Sequence, residues 1–175
     1  MSEVATKRRL FERLEECAGS GDFTSLLAEL EAGADRAATA APAAADAEAS
    51  RAIVHRYFEM WNTGDRAEAD AVLGSTYFDH AHPSVVGPAA VRSLVRRFRR
   101  DNPGAEMAAE IVAVQAGYVL VERAIRWGAR GAVEPWGVAL FRVAGGQLVE
   151  QWGFFPEARR GGGSQERNAA LRAYF

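Results

Sequence analysis

A chain of 175 residues with a formal charge of −2, about half of it apolar and a quarter charged, has the size and composition of one soluble globular domain with appendages. That charge gives no electrostatic basis for binding nucleic acid or an acidic membrane. The single cysteine, Cys17, excludes an internal disulfide or a cysteine-based zinc cluster, and no signal-type or membrane-length apolar run is seen, so the expected location is cytoplasmic.

The first elements read as two short helices. Leu10, Phe11 and Leu14 recur at helical spacing and Cys17 extends their stripe, which Gly19 and Gly21 break. Asp22 caps a second helix with Phe23, Leu26, Leu27 and Leu30 on one face and Gly33 as its stop. Such a hairpin cannot bury both stripes alone, so it must dock on the main domain, a second copy or another protein. From Ala34 to Ala49 the chain is rich in alanine, is interrupted by Pro42 and has no large apolar residue, which is the composition of a linker.

Ser50 then caps a helix with Ile53, Val54, Tyr57, Phe58 and Trp61 on one broad face, stopped at Asn62-Thr63-Gly64. "DRAEADAVL" is a shorter helix, and "YFDHAHP" reads as a short strand ended by Pro83. Gly87-Pro88 opens a third helix with Val91, Leu94, Val95 and Phe98 as its buried stripe. Its arginines surround the helix and have no stacking platform beside them, which makes them a solvated face. After Asn102-Pro103-Gly104 the period falls to two. "AEMAAEIVAV", "YVLVERAIRW", "WGVALFRVA" and "QLVEQWGFF" read as four strands joined by tight turns. Past them come a triple glycine and a last short helix capped by Ser164. The expected organisation is a helical hairpin over 1–33, a linker over 34–49, a domain over 50–157 and a Gly-rich linker with a short helix over 158–175. Helices followed by a meander define an α+β fold, a curved antiparallel sheet wrapped around three helices.

Several segments carry a family resemblance. "YFEMWNTGD", "FDHAHPSVVGPAAVRSLVRRFRRDNPG" and "LFRVAGGQLVEQW" resemble, in order, the opening helix and turn, the strand, loop and third helix, and the final hairpin of the SnoaL-like polyketide cyclases. These belong to the nuclear transport factor 2-like superfamily, whose domain is a cone-like α+β barrel. The resemblance covers roughly Ser50 to Pro156. It implies a cofactor-independent enzyme of secondary metabolism, such as antibiotic biosynthesis, that cyclises, isomerises, dehydrates or opens an epoxide in a hydrophobic substrate. It also implies a homodimer formed through the outer face of the sheet. The departures are specific. The family's carboxylate two positions before Phe-Arg is Ala139 here, its last-strand His and Asp are Gln151 and Gly153, and only "GARGAVEP" separates Trp127 from Trp136. These losses favour an alternative, a binding domain without the chemistry, or one that engages a protein partner through the N-terminal extension.

Candidate site residues follow from this resemblance and from strand alternation. His80 matches the histidine of the family's strand-to-loop motif and is the expected acid/base group, sharing a face with Phe78 and His82 while Asp79 points away. If Ala139 marks the inward face of its strand, Gly137 and Phe141 share it. The neighbouring strand then has two phases, one with Leu120, Glu122 and Ala124 inward, the other with Val119, Val121, Ile125 and Trp127 inward around Arg123. In the first phase Glu122 replaces the carboxylate missing at Ala139 as a second acid/base group beside His80, with a pKa raised by burial. Tyr57, Trp61, Tyr77, His82, Trp127, Trp136, Phe141 and Trp152 are candidates to shape the pocket for a flat hydrophobic ligand. No metal is expected, because two histidines lack a third strong ligand beyond His55 and carboxylates.

Overall fold

The computed structural model describes residues 44–154 except 116, 129, 130 and 132, together with Glu12, Arg13, Glu16 and Tyr174; the side chains at 44, 45, 134 and 135 are excepted. The apolar stripes of the N-terminal hairpin, the linker up to residue 43 and the helix capped by Ser164 lie outside these residues.

Helix α1 spans Ala44–Thr63. It starts six residues before the expected cap because alanine is the strongest helix former and lets the helix propagate backwards. Ser50 lies inside it, its hydroxyl donating to the Asp46 carbonyl at 2.8 Å. The helix ends at Gly64, whose φ of +75° is the left-handed stop that glycine adopts without strain, with its N–H donating to the Met60 carbonyl. Asp65 caps a short 3-10 turn, Arg66–Glu68, by accepting from the Ala67 N–H, and α2 follows at Ala69–Val72. Next come β1, Leu73–Asp79, and α3, Gly87–Asp101, which buries Val91, Val95 and Phe98. The remaining strands are β2, Ala105–Gln115; β3, Tyr118–Trp127; β4, Val133–Ala144; and β5, Gln147–Phe154.

The sheet order is β1-β5-β4-β3-β2. β2 to β5 form the antiparallel meander that period-two patterning implies, but β1 pairs with β5 in parallel. The sheet is therefore mixed and open, not wholly antiparallel, because α3 and the meander return the chain to the edge beside β1 in the same direction. The helices pack on one face. There Tyr57, Phe58, Trp61, Val91, Val95 and Phe98 join the inward residues of the strands in one core.

Two irregularities decide which residues enter that core. Between Arg142/Val143 and Glu150/Leu148 the register shifts, leaving Val149 as an extra residue. The alternation is thereby reset, so that Leu148 and Gln151 face inward while Glu150 and Trp152 face outward. A second shift, between Arg123 and Ala124, leaves Trp136 extra on β4. Trp136 turns inward, and the adjoining Gly137 takes a φ of +131° that other residues rarely adopt.

One side chain fixes α1 to the edge strand. Asn62 Nδ2 donates to the Met107 carbonyl at 2.9 Å, and its Oδ1 accepts from the Met107 N–H at 2.7 Å. Replacing Asn62 with Ala leaves both backbone groups to find water. The expected cost is about 2 kcal/mol, read as a lower urea midpoint with an unchanged slope.

Candidate functional site

The register of β3 on β4 settles which phase of β3 faces the helices. Ala139 pairs with Val121, and Phe141 pairs with Val119. Val119, Val121, Arg123 and Ile125 are all buried in the main core, so the second phase is correct. Glu122 points the other way and is exposed. The expectation that it replaces the carboxylate missing at Ala139 is corrected on this ground, since directly opposed residues of an antiparallel pair share a face.

The charge that does enter the interior is Arg123, 3% exposed. Its Nη2 donates to the Val138 carbonyl at 3.1 Å, and its guanidinium carbon sits 4.8 Å from the centroid of the Trp136 ring. Burial pushes the guanidinium down to about 10, opposed by Tyr57, Asp79 and Tyr77. It therefore remains a cation at neutral pH, stabilised by a ring face and a carbonyl.

Above it lies a polar junction. Tyr57 from α1 and Tyr77 from β1 both donate to Oε1 of Gln151 on β5, each at 2.9 Å. All three are buried, and Phe141 and Trp61 flank Tyr57 with centroids at 5.3 and 6.2 Å. Burial raises both phenol pKa values, and the negative charge of Asp79 raises them further.

Asp79 is buried on the face opposite His80, as alternation places it, but His82 leaves the face that alternation gives it and joins Asp79. β1 ends at Asp79, and residues 80–82 form a turn in place of the expected strand. Asp79 is 3% exposed and directs its carboxylate into that turn. Oδ1 accepts from the N–H groups of Ala81 and His82 at 2.9 and 3.3 Å, a local capture typical of aspartate in turns. Oδ2 lies 3.3 Å from Nδ1 of His82. Asp79 and His82, assigned to opposite faces by strand alternation, are thus partners.

His80 goes elsewhere. Its ring stacks on Trp152 at 4.4 Å and 12°, edges against Phe78, and places Nε2 3.0 Å from Glu150 Oε2. Glu150 also accepts from Arg142 Nε at 2.5 Å. Burial disfavours ionising Glu150, but the bonds from His80 and Arg142 outweigh it and hold its carboxyl below the ordinary value. These residues, and Trp152 with them, lie on the outer face of the sheet, so neither His80 nor Trp152 faces the interior as expected. Of the other candidates, Tyr57, Trp61, Tyr77, Trp136 and Phe141 are in the core, Trp127 packs partly buried against it, and His82 lies at its edge. Arg123, Asp79 and Gln151 are the interior polar residues that were not singled out. A lone charge in the inward phase Val119, Val121, Ile125 was the available signal for Arg123.

Among the described residues no group of three His, Cys, Asp or Glu side chains converges as a metal site, and no helix is long and apolar enough to cross a membrane. Two surface hollows, of about 480 and 400 Å³, lie around Asp65, Asp70 and Arg92 and around Val85, Leu94 and Arg96, away from this junction.

This geometry is that of a cone-shaped α+β domain whose polar residues meet between sheet and helices. The chain matches the SnoaL-like domain over residues 54–151, more than half of its length, and it belongs to that family and to the nuclear transport factor 2-like superfamily. Solved structures share the fold. A protein described as an isomerase of the SnoaL-like family from Agrobacterium tumefaciens is 14% identical, with a TM-score of 0.53 over 62% of this chain and 97% of that one. One described as a ketosteroid isomerase from Kribbella flavida is 23% identical, with a TM-score of 0.50 over 70% and 88%. One described as a SnoaL-like polyketide cyclase from Jannaschia is 20% identical, with a TM-score of 0.50 over 61% and 85%. No curated protein is a significant match.

Two measurements test the junction. Replacing Gln151 with Leu removes the shared acceptor of two buried hydroxyls, and the expected loss is about 2–4 kcal/mol of stability. Replacing Tyr57 and Tyr77 with Phe in the same background should recover most of it. The second measurement is alkaline unfolding. In the unfolded chain both phenols ionise near pH 10. In the folded protein they hold their protons, so the stability they contribute is present below that pH and is lost as pH rises toward the folded values. Arg123 opposes this, because its folded pKa is depressed and its unfolded value is not. Two phenols outweigh one guanidinium, so stability is expected to fall above about pH 10, and Tyr57→Phe with Tyr77→Phe should reverse the slope.

Proposed function

We propose that this protein is a cofactor-independent SnoaL-like enzyme that moves a proton on a hydrophobic, polyketide-like small molecule, with His82 as the acid/base group. The observation that carries this is the hydrogen bond between His82 Nδ1 and the buried carboxylate of Asp79, beside the two phenols and Gln151. A carboxylate on Nδ1 fixes the ring's orientation and tautomer, so that Nε2 is the atom that takes and returns the proton. His82 is also the partly open member of this group, as an atom that meets substrate must be.

In this reading the substrate enters at the turn after β1 with its apolar part against the aromatic wall. Abstraction of a proton beside a carbonyl, or protonation of an epoxide or hydroxyl, shifts charge onto a substrate oxygen. Arg123 supplies positive potential in a region of low dielectric, where it is worth more than in water, while Tyr57 and Tyr77 stay committed to Gln151. Cyclisation, isomerisation, dehydration and epoxide opening all share that first proton movement. The similar folds described as cyclase and isomerase support the class. A role in secondary metabolism, and a cytoplasmic location, belong to the same proposal.

A second reading is a binding domain without turnover. It is favoured by Ala139, fully buried where the resembled cyclases have a carboxylate, and by the close packing around it.

The test begins with mass spectrometry of small molecules that co-purify, followed by assays on aromatic polyketides of that class. His82→Gln and Asp79→Asn are expected to lower kcat by about 100-fold or more while leaving the thermal unfolding profile intact. His80→Ala and Glu122→Gln should leave kcat within about twofold, the ordinary range for groups off the reaction path. Thermal stabilisation by ligand with no product would establish the binding reading. Turnover unchanged in His82→Gln would refute the dyad.

A further inference from the structure

Periodicity alone makes α3 a helix ringed by arginines, but the structure divides them. Arg92 turns to Asp70 on α2, and Arg99 donates to the carbonyls of Ala105 and Pro103 past the helix end. The other three, Arg96, Arg97 and Arg100, border one hollow of about 400 Å³. Val85, Ala90 and Leu94 give it an apolar floor, each packed against the margin of the main core. One wall is α3 and the other is the chain at 84–85. Backbone bonds hold that second wall: the Val85 N–H donates to the His82 carbonyl at 2.8 Å, and the Val85 carbonyl accepts from the Asp79 N–H at 3.3 Å. The hollow is therefore built by the fold and needs no ligand to form.

Its charge is one-sided. No acidic side chain lines it among the described residues. The acid at the end of the helix, Asp101, is already engaged by Arg100 and by the Tyr174 hydroxyl. The Arg97 guanidinium is held over the Tyr174 ring at 4.8 Å. Arg96 is exposed and makes no ion pair among the described residues. It lies one turn before Arg100, with Arg97 beside it, so three cations share one side of the helix. Like charges gathered around a concavity repel one another, and a bound anion removes that cost.

We propose that this hollow binds a small amphipathic anion, a carboxylate or phosphate carried on a hydrocarbon group. The anion sits between Arg96 and Arg100, whose planar guanidinium groups match either oxyanion. The hydrocarbon lies against Val85, Ala90 and Leu94. A concavity with a mainly apolar floor and a few convergent polar groups is the ordinary form of a small-molecule site. An acidic protein surface would meet the arginines without reaching the floor. The site is separate from the Asp79–His82 dyad and does not rest on the catalytic reading.

Equilibrium dialysis of the full chain against octanoate and octyl phosphate tests it, and the tighter of the two identifies the head group. Each should bind at least about tenfold more tightly than octanol, which lacks the charge, and than acetate or inorganic phosphate, which lack the chain. Arg96→Gln should weaken binding about tenfold, the loss of one charge-assisted contact, and Arg96→Glu should weaken it further. Arg92→Gln, outside the hollow, should leave affinity within about twofold. Circular dichroism checks that each variant is folded, and Arg100→Gln serves if an Arg96 variant is not. No binding of either amphiphile at about 1 mM overturns the proposal, as does affinity unmoved in Arg96→Glu. Octanol bound as tightly as octanoate overturns it in favour of a purely apolar crevice. Acetate or inorganic phosphate bound as tightly as the chain-bearing anions overturns it in favour of a bare anion site. Tighter binding of a short polyglutamate than of either amphiphile overturns it in favour of an acidic protein partner.

Discussion

A single amide oxygen holds the middle of this domain together. Oε1 of Gln151 has two acceptor sites, and Tyr57 and Tyr77 fill both. The phenols come from α1 and β1, so one side chain on β5 ties the first helix, the first strand and the last strand at a buried point. Buried hydroxyls without partners are costly, which makes the three residues interdependent. Around this point are Arg123, whose positive charge is buried against Trp136, and Asp79, whose negative charge is buried in the turn after β1. Each charge is held by groups beside it, Arg123 by the Val138 carbonyl and Asp79 by the N–H groups of its turn. An interior with separated, fixed charges suits chemistry in which charge develops on a bound molecule.

The sheet supplies this arrangement through broken alternation. With an unbroken period of two, Leu148 and Gln151 could not both face inward, and Trp136 could not lie over Arg123. Each extra residue costs a piece of ladder but re-aims a side chain. Both rearrangements adjoin the residues that form the interior cluster, where such irregularities are most often found.

The fold was legible in the sequence because its elements are long and strongly periodic: the stripe of α3, the broad face of α1 and the four alternating strands needed little tertiary help. The site was legible only in part. Tyr57, Tyr77 and Phe141 could be placed because large aromatic residues in periodic segments go inside, whereas Trp136 enters the core only through the extra residue on β4. Glu122 and Arg123 are adjacent charges, and the choice between them rests on a register across two strands that neither strand encodes alone. His80 and His82 were misplaced for a different reason. Alternation was carried past Asp79, whereas an aspartate three residues before His82 and four before Pro83 competes for the backbone and closes a turn. Trp152 was misplaced by the extra residue at Val149, which leaves no mark in composition.

The parallel pairing of β1 with β5 has a consequence for how the domain acquires its structure. Tyr77 and Gln151 are 74 positions apart, and Tyr57 and Gln151 are 94 apart. The meander from β2 to β5 closes through short turns and can form early. The central junction waits until nearly the whole domain has been assembled, because loop closure over such distances comes late and makes folding slow. During synthesis α1 and β1 leave the ribosome first, yet their hydroxyls find an acceptor only after the last strand has followed. A nascent chain paused before β5 therefore exposes an unfinished sheet edge and two unsatisfied phenols, the state in which this protein is most open to chaperones and to aggregation.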